Sequence, residues 1–346
     1  MRSFLKPAAG FTCLFALATA GCSSGSDGGS DAASEPAKQA SASPSESAAE
    51  DASSTTAYAP YVSATEASDN DSAGSPGTYN LAFVIADGSA CTPAWNGEDA
   101  LTDSSVKSRI SQLKEDGGSV RVSFGGASGK ELASTCDSVT ALAAAYGKAL
   151  DAAGATQADF DIEGDQLTDS ASVALRSEAI AVLQKERSDL SVTFTLPVMP
   201  SGLDSDSLAL LASANKYDVQ VSTVNLMTMN YGESYSGDMG DYALTSAKAA
   251  HTQLKKVFGL SDEGAWQGMA LTSMIGVNDV DGETFTLSDA AQVRTFAEEK
   301  EIAWVSMWST FRDQQCESGS SGDDDAATNC SGVTQSSGAF GEAFAG

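Results

Sequence analysis

The chain of 346 residues reads as an α/β protein whose main domain is a (β/α)8 TIM barrel. Three observations predict it. Eight short runs of strand character recur, at 58–63, 79–86, 119–124, 158–163, 190–196, 219–230, 269–275 and 302–308. Helical periodicity lies between most of them, at 139–152, 172–186, 205–214, 245–258 and 289–300, and strands that alternate with helices pair in parallel. The units fill residues 57–312, a span of 256 residues, which matches the usual size of a closed barrel. A doubly wound open sheet is the alternative, but no Gly-x-Gly-x-x-Gly follows an early strand to support it.

Two segments precede the barrel. Residues 1–21 place Arg2 and Lys6 ahead of an apolar stretch at 8–20, too short to cross a membrane as a helix. The stretch ends Thr19-Ala20-Gly21-Cys22 and runs into Ser23-Ser24-Gly25. That pattern is similar to a bacterial lipoprotein signal, although Thr19 stands where Leu is usual. The similarity implies lipid on Cys22, a mature chain that starts there, and an extracytoplasmic protein whose only membrane contact is that lipid. A plain secretory signal is the alternative. Residues 22–56 form a Ser/Ala/acidic linker: from 23 onward it has no Val, Ile, Leu, Met or aromatic residue. Such a segment cannot bury enough apolar surface to offset its ordering entropy, so a disordered tether is expected.

Charge narrows the partners. The net charge is −28, and without residues 1–21 it is −30, from 17 bases against 47 acids. Nucleic acid is excluded, because its binding needs clustered Lys and Arg. Polyanionic glycans are disfavoured, and a neutral polymer is compatible. A monomer is expected. Beyond Cys22 the chain has Cys91, Cys136, Cys316 and Cys330. An even number in an exported chain suggests two disulfides, for which three pairings are open. The short loop closed by the last two favours Cys91–Cys136 with Cys316–Cys330, the latter holding a C-terminal tail at 313–346. The spacings suit no zinc site. The one histidine, His251, lies in a polar stretch and reads as a helix-surface residue, which argues against a Ser-His-Asp triad.

The most informative run is Asp159-Phe160-Asp161-Ile162-Glu163. Acids and large apolar residues alternate with a period of two, so the acids share one strand face, roughly 6.6 Å from neighbour to neighbour. If both faces are buried, three carboxylates crowd one site and at least one stays protonated near neutral pH. Glycoside hydrolysis needs such an acid. Taken alone, the run also fits a solvated strand face or a calcium site. A second acidic segment, Asp279-Val280-Asp281-Gly282, hints at a calcium loop, but Val277 and Ser288 then stand where ligands belong, so an EF-hand is rejected.

Three further segments join the acids. Ser123-Phe124-Gly125-Gly126 ends one strand in a turn of small residues. Met227-Thr228-Met229-Asn230-Tyr231-Gly232 ends another in a polar and aromatic cluster. Trp304-Val305-Ser306-Met307-Trp308-Ser309 closes the last. Together they resemble glycoside hydrolase family 18, the chitinase family, across roughly 57–316. That family carries Ser-x-Gly-Gly on strand three, Asp-x-Asp-x-Glu on strand four, Met-x-Tyr-Asp on strand six and a terminal Trp on strand eight. The resemblance is closest to an archaeal and bacterial branch with Met-x-Met-Asp-Tyr-Gly on strand six. That branch also shows a Cys after strand two and Arg-Asp with a downstream Cys after strand eight, places filled here by Cys91 and by Arg312-Asp313 with Cys316. Three departures stand out: Ala155-Thr156-Gln157-Ala158 lacks the usual leading Asp-Gly, Asn230 replaces the strand-six Asp, and Met229 stands in the place of its Tyr, leaving the aromatic role to Tyr231.

The resemblance implies hydrolysis of β-1,4 bonds in chitin or another glycan containing N-acetylglucosamine, with retention, by a substrate-assisted route without metal or cofactor. Glu163 becomes the general acid, Asp161 the group that orients the acetamide, and Asp159 its partner, supported by Ser123. Gly125 lets backbone approach the site. Asn230 and Tyr231 position the acetamide, Met227 and Met229 adjoin the substrate and serve partly as core filler, and Trp308 floors the sugar. A glycan-binding protein without activity and an endo-β-N-acetylglucosaminidase acting on protein-linked glycans are the alternatives. Intact Glu163 argues against the first.

Overall fold

The structure is a computed structural model that describes residues 56–115, 117–317 and 329–346. The signal segment, Cys22 and the linker up to residue 55 lie outside the described residues. Thr56, assigned to the linker, is buried, and its hydroxyl donates to the Ala297 carbonyl at 3.1 Å.

In chain order the strands are β1 (Ala57–Tyr58), β2 (Tyr61–Ser63), β3 (Thr78–Ala86), β4 (Pro93–Trp95), β5 (Asp99–Ala100), β6 (Ser119–Gly125) and β7 (Gln157–Asp161). They continue as β8 (Ser191–Pro197), β9 (Val221–Met227), β10 (Met269–Met274), β11 (Gly276–Val277), β12 (Thr284–Phe285) and β13 (Trp304–Trp308). Strands β3, β6, β7, β8, β9, β10 and β13 pair in parallel in that order. The first predicted strand is broken at Ala59 and Pro60, and Pro60 lacks the N–H a ladder needs. Its pieces serve both ends of the run: β1 pairs with β13 and β2 with β3. This is an α/β architecture of the TIM-barrel type.

Helices return the chain between strands, and side chains mark their starts. Ser138, Asp169, Asp204 and Asp238 accept from backbone N–H groups at the heads of Val139–Ala153, Ser170–Glu186, Ser205–Lys216 and Met239–Phe258. Thr286 and Asp289 form a reciprocal capping box on Leu287–Lys300. One helix absent from the sequence reading is Ser104–Glu115, whose polar surface hides Val106, Ile110 and Leu113. The strands' outward residues pack under this shell. Phe160 stacks on Phe124 at 5.2 Å and meets Phe194 at 5.7 Å, all three fully buried.

One expectation is extended and one corrected. The tail expected at 313–346 ends in the helix Ala339–Ala345, with Phe340 and Phe344 fully buried. Phe344 stacks on Tyr58 at 6.3 Å and on Phe285 at 6.0 Å. The Asp313 carboxylate accepts from Phe340 N at 3.0 Å and Gly341 N at 2.8 Å, anchoring the helix start. Just two apolar anchors among Gly and Ser were too few to show a period. His251 is buried, not on the surface: its ring stacks on Trp266 at 3.9 Å, and Nε2 meets the Asp262 carbonyl at 2.9 Å. Disulfides join Cys91 to Cys136 and Cys316 to Cys330.

Candidate active site

Strand β7 delivers the acids. Asp159 and Asp161 lie on it, and Phe160 and Ile162 face the packed side. The strand assignment ends at Asp161, yet Ile162 N still donates to Thr195 O at 3.1 Å, and Glu163 keeps an extended backbone with φ −132° and ψ 165°. The period of two therefore continues through Glu163. Glu163 then heads the helix Gly164–Thr168 without capping it by its side chain. Beside it, Gly125 has φ +94°, and a Cβ there would lie 2.1 Å from Asp161 O, so only glycine fits. Gly126 N donates to the same carbonyl at 2.9 Å.

Asp159 is fully buried and well partnered: Tyr61 Oη donates at 2.8 Å and Thr195 Oγ1 at 2.6 Å. Asn225 braces that pair, donating to Thr195 Oγ1 at 2.9 Å and to Tyr61 Oη at 3.3 Å, while Thr272 Oγ1 donates to Asn225 Oδ1 at 2.9 Å. Burial raises the Asp159 pKa, and Thr195, Ser123, Arg121 and Tyr61 pull it back. Ser123 stands opposite Asp159 in the β6–β7 register. Its hydroxyl has no hydrogen bond of ordinary geometry, but it is near enough to favour the ionised carboxylate.

Asp161 is placed differently. Its Oδ1 is buried without a hydrogen-bond partner. Burial, then the charges of Glu163 and Asp159, push its pKa well above the carboxylate range. Glu163 is raised to about 7, by burial first and then by the charge of Asp279. The trio is thus graded: Asp159 is raised by burial but drawn back by its partners, Asp161 is pushed furthest toward protonation, and Glu163 is poised near neutrality.

Asp161 and Glu163 line a cavity of about 410 Å³, while Asp159 lies buried behind them. Of the expected binding residues, Gly125, Met227, Met229, Asn230 and Trp308 line it. Trp308 stacks on Phe83 at 5.6 Å and meets Tyr61 edge-on at 5.9 Å, which gives the cavity an aromatic side. Tyr231 is not among the lining residues. It is buried with Tyr235 and Tyr242, at 5.9 Å from each, and Ser246 Oγ donates to its hydroxyl at 3.5 Å. Its place is structural because the chain turns at Asn230, which adopts φ +53°. Asn230 and Asp279 bond reciprocally: Asn230 Nδ2 donates to Asp279 Oδ2 at 2.9 Å, and Asp279 N donates to Asn230 Oδ1 at 3.1 Å. That pairing fixes Asp279, on the loop between β11 and β12, at the cavity wall.

Sequence reasoning missed Tyr61, Phe83, Thr195, Asn225, Thr272 and Asp279. Most are lone polar or aromatic residues whose partners lie far off in the chain. Asp279 carried a signal, its acidic loop, but that loop was weighed only as a calcium site. Among the described residues no cluster of three or more His, Cys, Asp or Glu is placed to hold a metal ion.

No family model matches the chain. Over 275 residues it is 34% identical to a probable bifunctional chitinase/lysozyme of Escherichia coli, and over 276 residues 33% identical to Endochitinase 11 of Metarhizium anisopliae. Each match covers 74% of this chain, but it spans only 31% of the first relative and 52% of the second. The crystal structure of the catalytic domain of a hyperthermophilic chitinase from Pyrococcus furiosus superposes with a TM-score of 0.73 at 30% identity, over 84% of this chain and 94% of that one. With its acids, its Gly-Gly turn and its tryptophan arranged as described, the chain belongs to glycoside hydrolase family 18, the chitinase family.

Proposed function

We propose that this barrel hydrolyses β-1,4 bonds between N-acetylglucosamine units with retention, using the substrate's own acetamide as nucleophile. We place it in the branch with Met-x-Met-Asp-Tyr-Gly on strand six, with Asn230 as the variant residue. The observation that carries the reading is the graded trio, a Glu163 near neutrality beside an unpartnered Asp161 at the cavity wall. Glu163 protonates the leaving oxygen while the acetamide oxygen attacks the anomeric carbon. Asp161 and Asp159 begin with one proton between them, and Asp161 carries it toward Glu163. Once Glu163 has given up its own proton, Asp161 shares the remaining one with it and gathers negative charge against the acetamide N–H. Glu163 then takes a proton from the incoming water. The test is the product pattern from soluble N-acetylglucosamine oligomers, with a high-mannose glycoprotein and cellulose oligomers as comparisons. Cleavage of the first alone, with a β anomer formed first, is expected; an initial α anomer would overturn the mechanism.

Asp279 sets the alkaline side of the pH profile. Its charge raises the Glu163 pKa, and a higher pKa keeps the acid protonated to higher pH. Asp279→Asn removes the like charge, so the alkaline limb of kcat/KM should move to lower pH. A limb that stays in place would take Asp279 out of this role.

The localisation proposed is lipid anchoring through Cys22 on an extracytoplasmic surface. The motive is the Ala20-Gly21-Cys22 boundary after an apolar stretch. Intact-mass analysis of native protein should show a chain starting at a lipidated Cys22, and any other start defeats the proposal.

A further inference from the structure

We propose that Arg121, on the floor of the barrel, is a positioning residue whose charge favours the ionised form of Asp159, so that Asp161 can carry their shared proton toward Glu163. The inference rests on the substrate-assisted reading above. Along β6, Arg121, Ser123 and Gly125 share one face, and in register they stand beside Gln157, Asp159 and Asp161. Arg121 is thus one step below Asp159 in the barrel, as Gly125 is one step above.

The surroundings of Arg121 are unusual for a buried cation. It is 6% exposed, and its hydrogen bonds go to neutral amides: Nη1 donates to Asn80 Oδ1 at 2.6 Å and Nη2 to Gln157 Oε1 at 3.0 Å. Its guanidinium carbon lies 4.6 Å from the centre of the Trp304 ring, and Nε has no partner. No carboxylate among the described residues is in ion-pair contact with it. Burying a charge without such a partner is unfavourable, and an apolar side chain of similar volume would avoid that cost. A field acting upward on the acids explains why a guanidinium stands here.

The charged and titratable groups around the pair are few. Tyr61 faces Asp159 from β2, Asp161 adjoins it on β7 and Glu163 lies beyond; Thr195 and Asn225, from β8 and β9, are neutral. Below, Asp189, Glu263 and Glu301 share with Arg121 the lining of a floor cavity of about 760 Å³, and all three are exposed. Asp159 is the foremost charge acting on Arg121, and Arg121 in turn favours the Asp159 carboxylate. Ionised Asp159 releases the shared proton to Asp161. Without Arg121 the pair binds its second proton more readily, and the site fails at a higher pH on the acid side.

The test compares Arg121→Gln, which keeps a polar amide, with Arg121→Lys, which keeps the charge. In Arg121→Gln the acid limb of kcat/KM on an N-acetylglucosamine oligomer should move up by about 1 pH unit, the scale of a nearby charge's effect, with KM at the optimum nearly unchanged. Arg121→Lys should keep the limb in place. A purely structural role would lower the Tm of both variants and leave the limb alone, which would overturn the proposal. Carboxyl ¹³C NMR of Asp-labelled protein, with Asp159 assigned through Asp159→Asn, reads the same effect without turnover. The Asp159 midpoint should rise in Arg121→Gln and hold in Arg121→Lys, and an unchanged midpoint in Arg121→Gln refutes the inference even if the wild type cleaves no chitin oligomer. Should Arg121→Gln not fold, Arg121→Met, which also removes the charge, takes its place: a raised Asp159 midpoint supports the inference and an unchanged one refutes it.

Discussion

Glu163→Gln should fold like the wild type and lose at least the roughly 10²–10⁴-fold in turnover that general acid–base catalysis contributes. The amide matches the carboxyl in shape but has no proton to give to the leaving oxygen. Because Glu163 makes no cap bond to its helix, the change breaks no hydrogen bond of the fold. A second readout ties the loss to the acid itself. Burial holds the folded-state pKa near 7, above the ordinary 4.5. A carboxyl raised on folding contributes stability below pH 4.5, and this contribution is lost as pH rises toward 7. Glu163→Gln removes that dependence, so its Tm relative to wild type should be higher at pH 8 than at pH 4. Circular-dichroism melts at the two pH values, beside turnover of an N-acetylglucosamine oligomer, check both halves. A variant that keeps most of its turnover would remove Glu163 as the general acid.

What was legible in the sequence was local and periodic. Asp159, Asp161 and Glu163 declare one face through a period of two, and Phe160 and Ile162 the other, so five residues carry the placement of the chemistry. Gly125 could be read from its place in the Gly-Gly turn of the resemblance, and the structure supplies the reason, an Asp161 carbonyl that leaves no room for a side chain. The rest was hidden because it depends on distant contacts. Tyr61 reaches Asp159 across 98 residues, and Asn230 reaches Asp279 across 49. No local pattern marks such pairs, since each partner satisfies ordinary rules where it stands. Tyr231 shows the reverse case: an aromatic in the expected motif turned away once Asn230 adopted a left-handed backbone. The last helix was hidden for want of repetition, with Phe340 and Phe344 too few to reveal a period.

Asp161→Asn should leave substrate binding largely intact and lower kcat by about 10²–10³, the range seen when one preorganised charge-stabilising group is removed. The argument starts from what Asp161 lacks. Its Oδ1 is buried with no partner, a state that costs about 1–3 kcal/mol for a neutral polar atom. The acetamide N–H of a bound sugar would supply that partner, so the unsatisfied atom is what the substrate completes. An asparagine can still face the acetamide, but on the proposed substrate-assisted route it cannot take up negative charge as the oxazolinium ion forms. The loss therefore falls on the transition state and not on the ground state, and kcat should drop while KM moves little. The amide also removes the proton that Asp161 shares with Asp159, so Asp159 alone must titrate, and the acid limb of the profile should simplify to one group. Steady-state kinetics across pH on an N-acetylglucosamine oligomer reads all three effects. A rise in KM with unchanged kcat would assign Asp161 to ground-state binding and leave the acetamide without its orienting group.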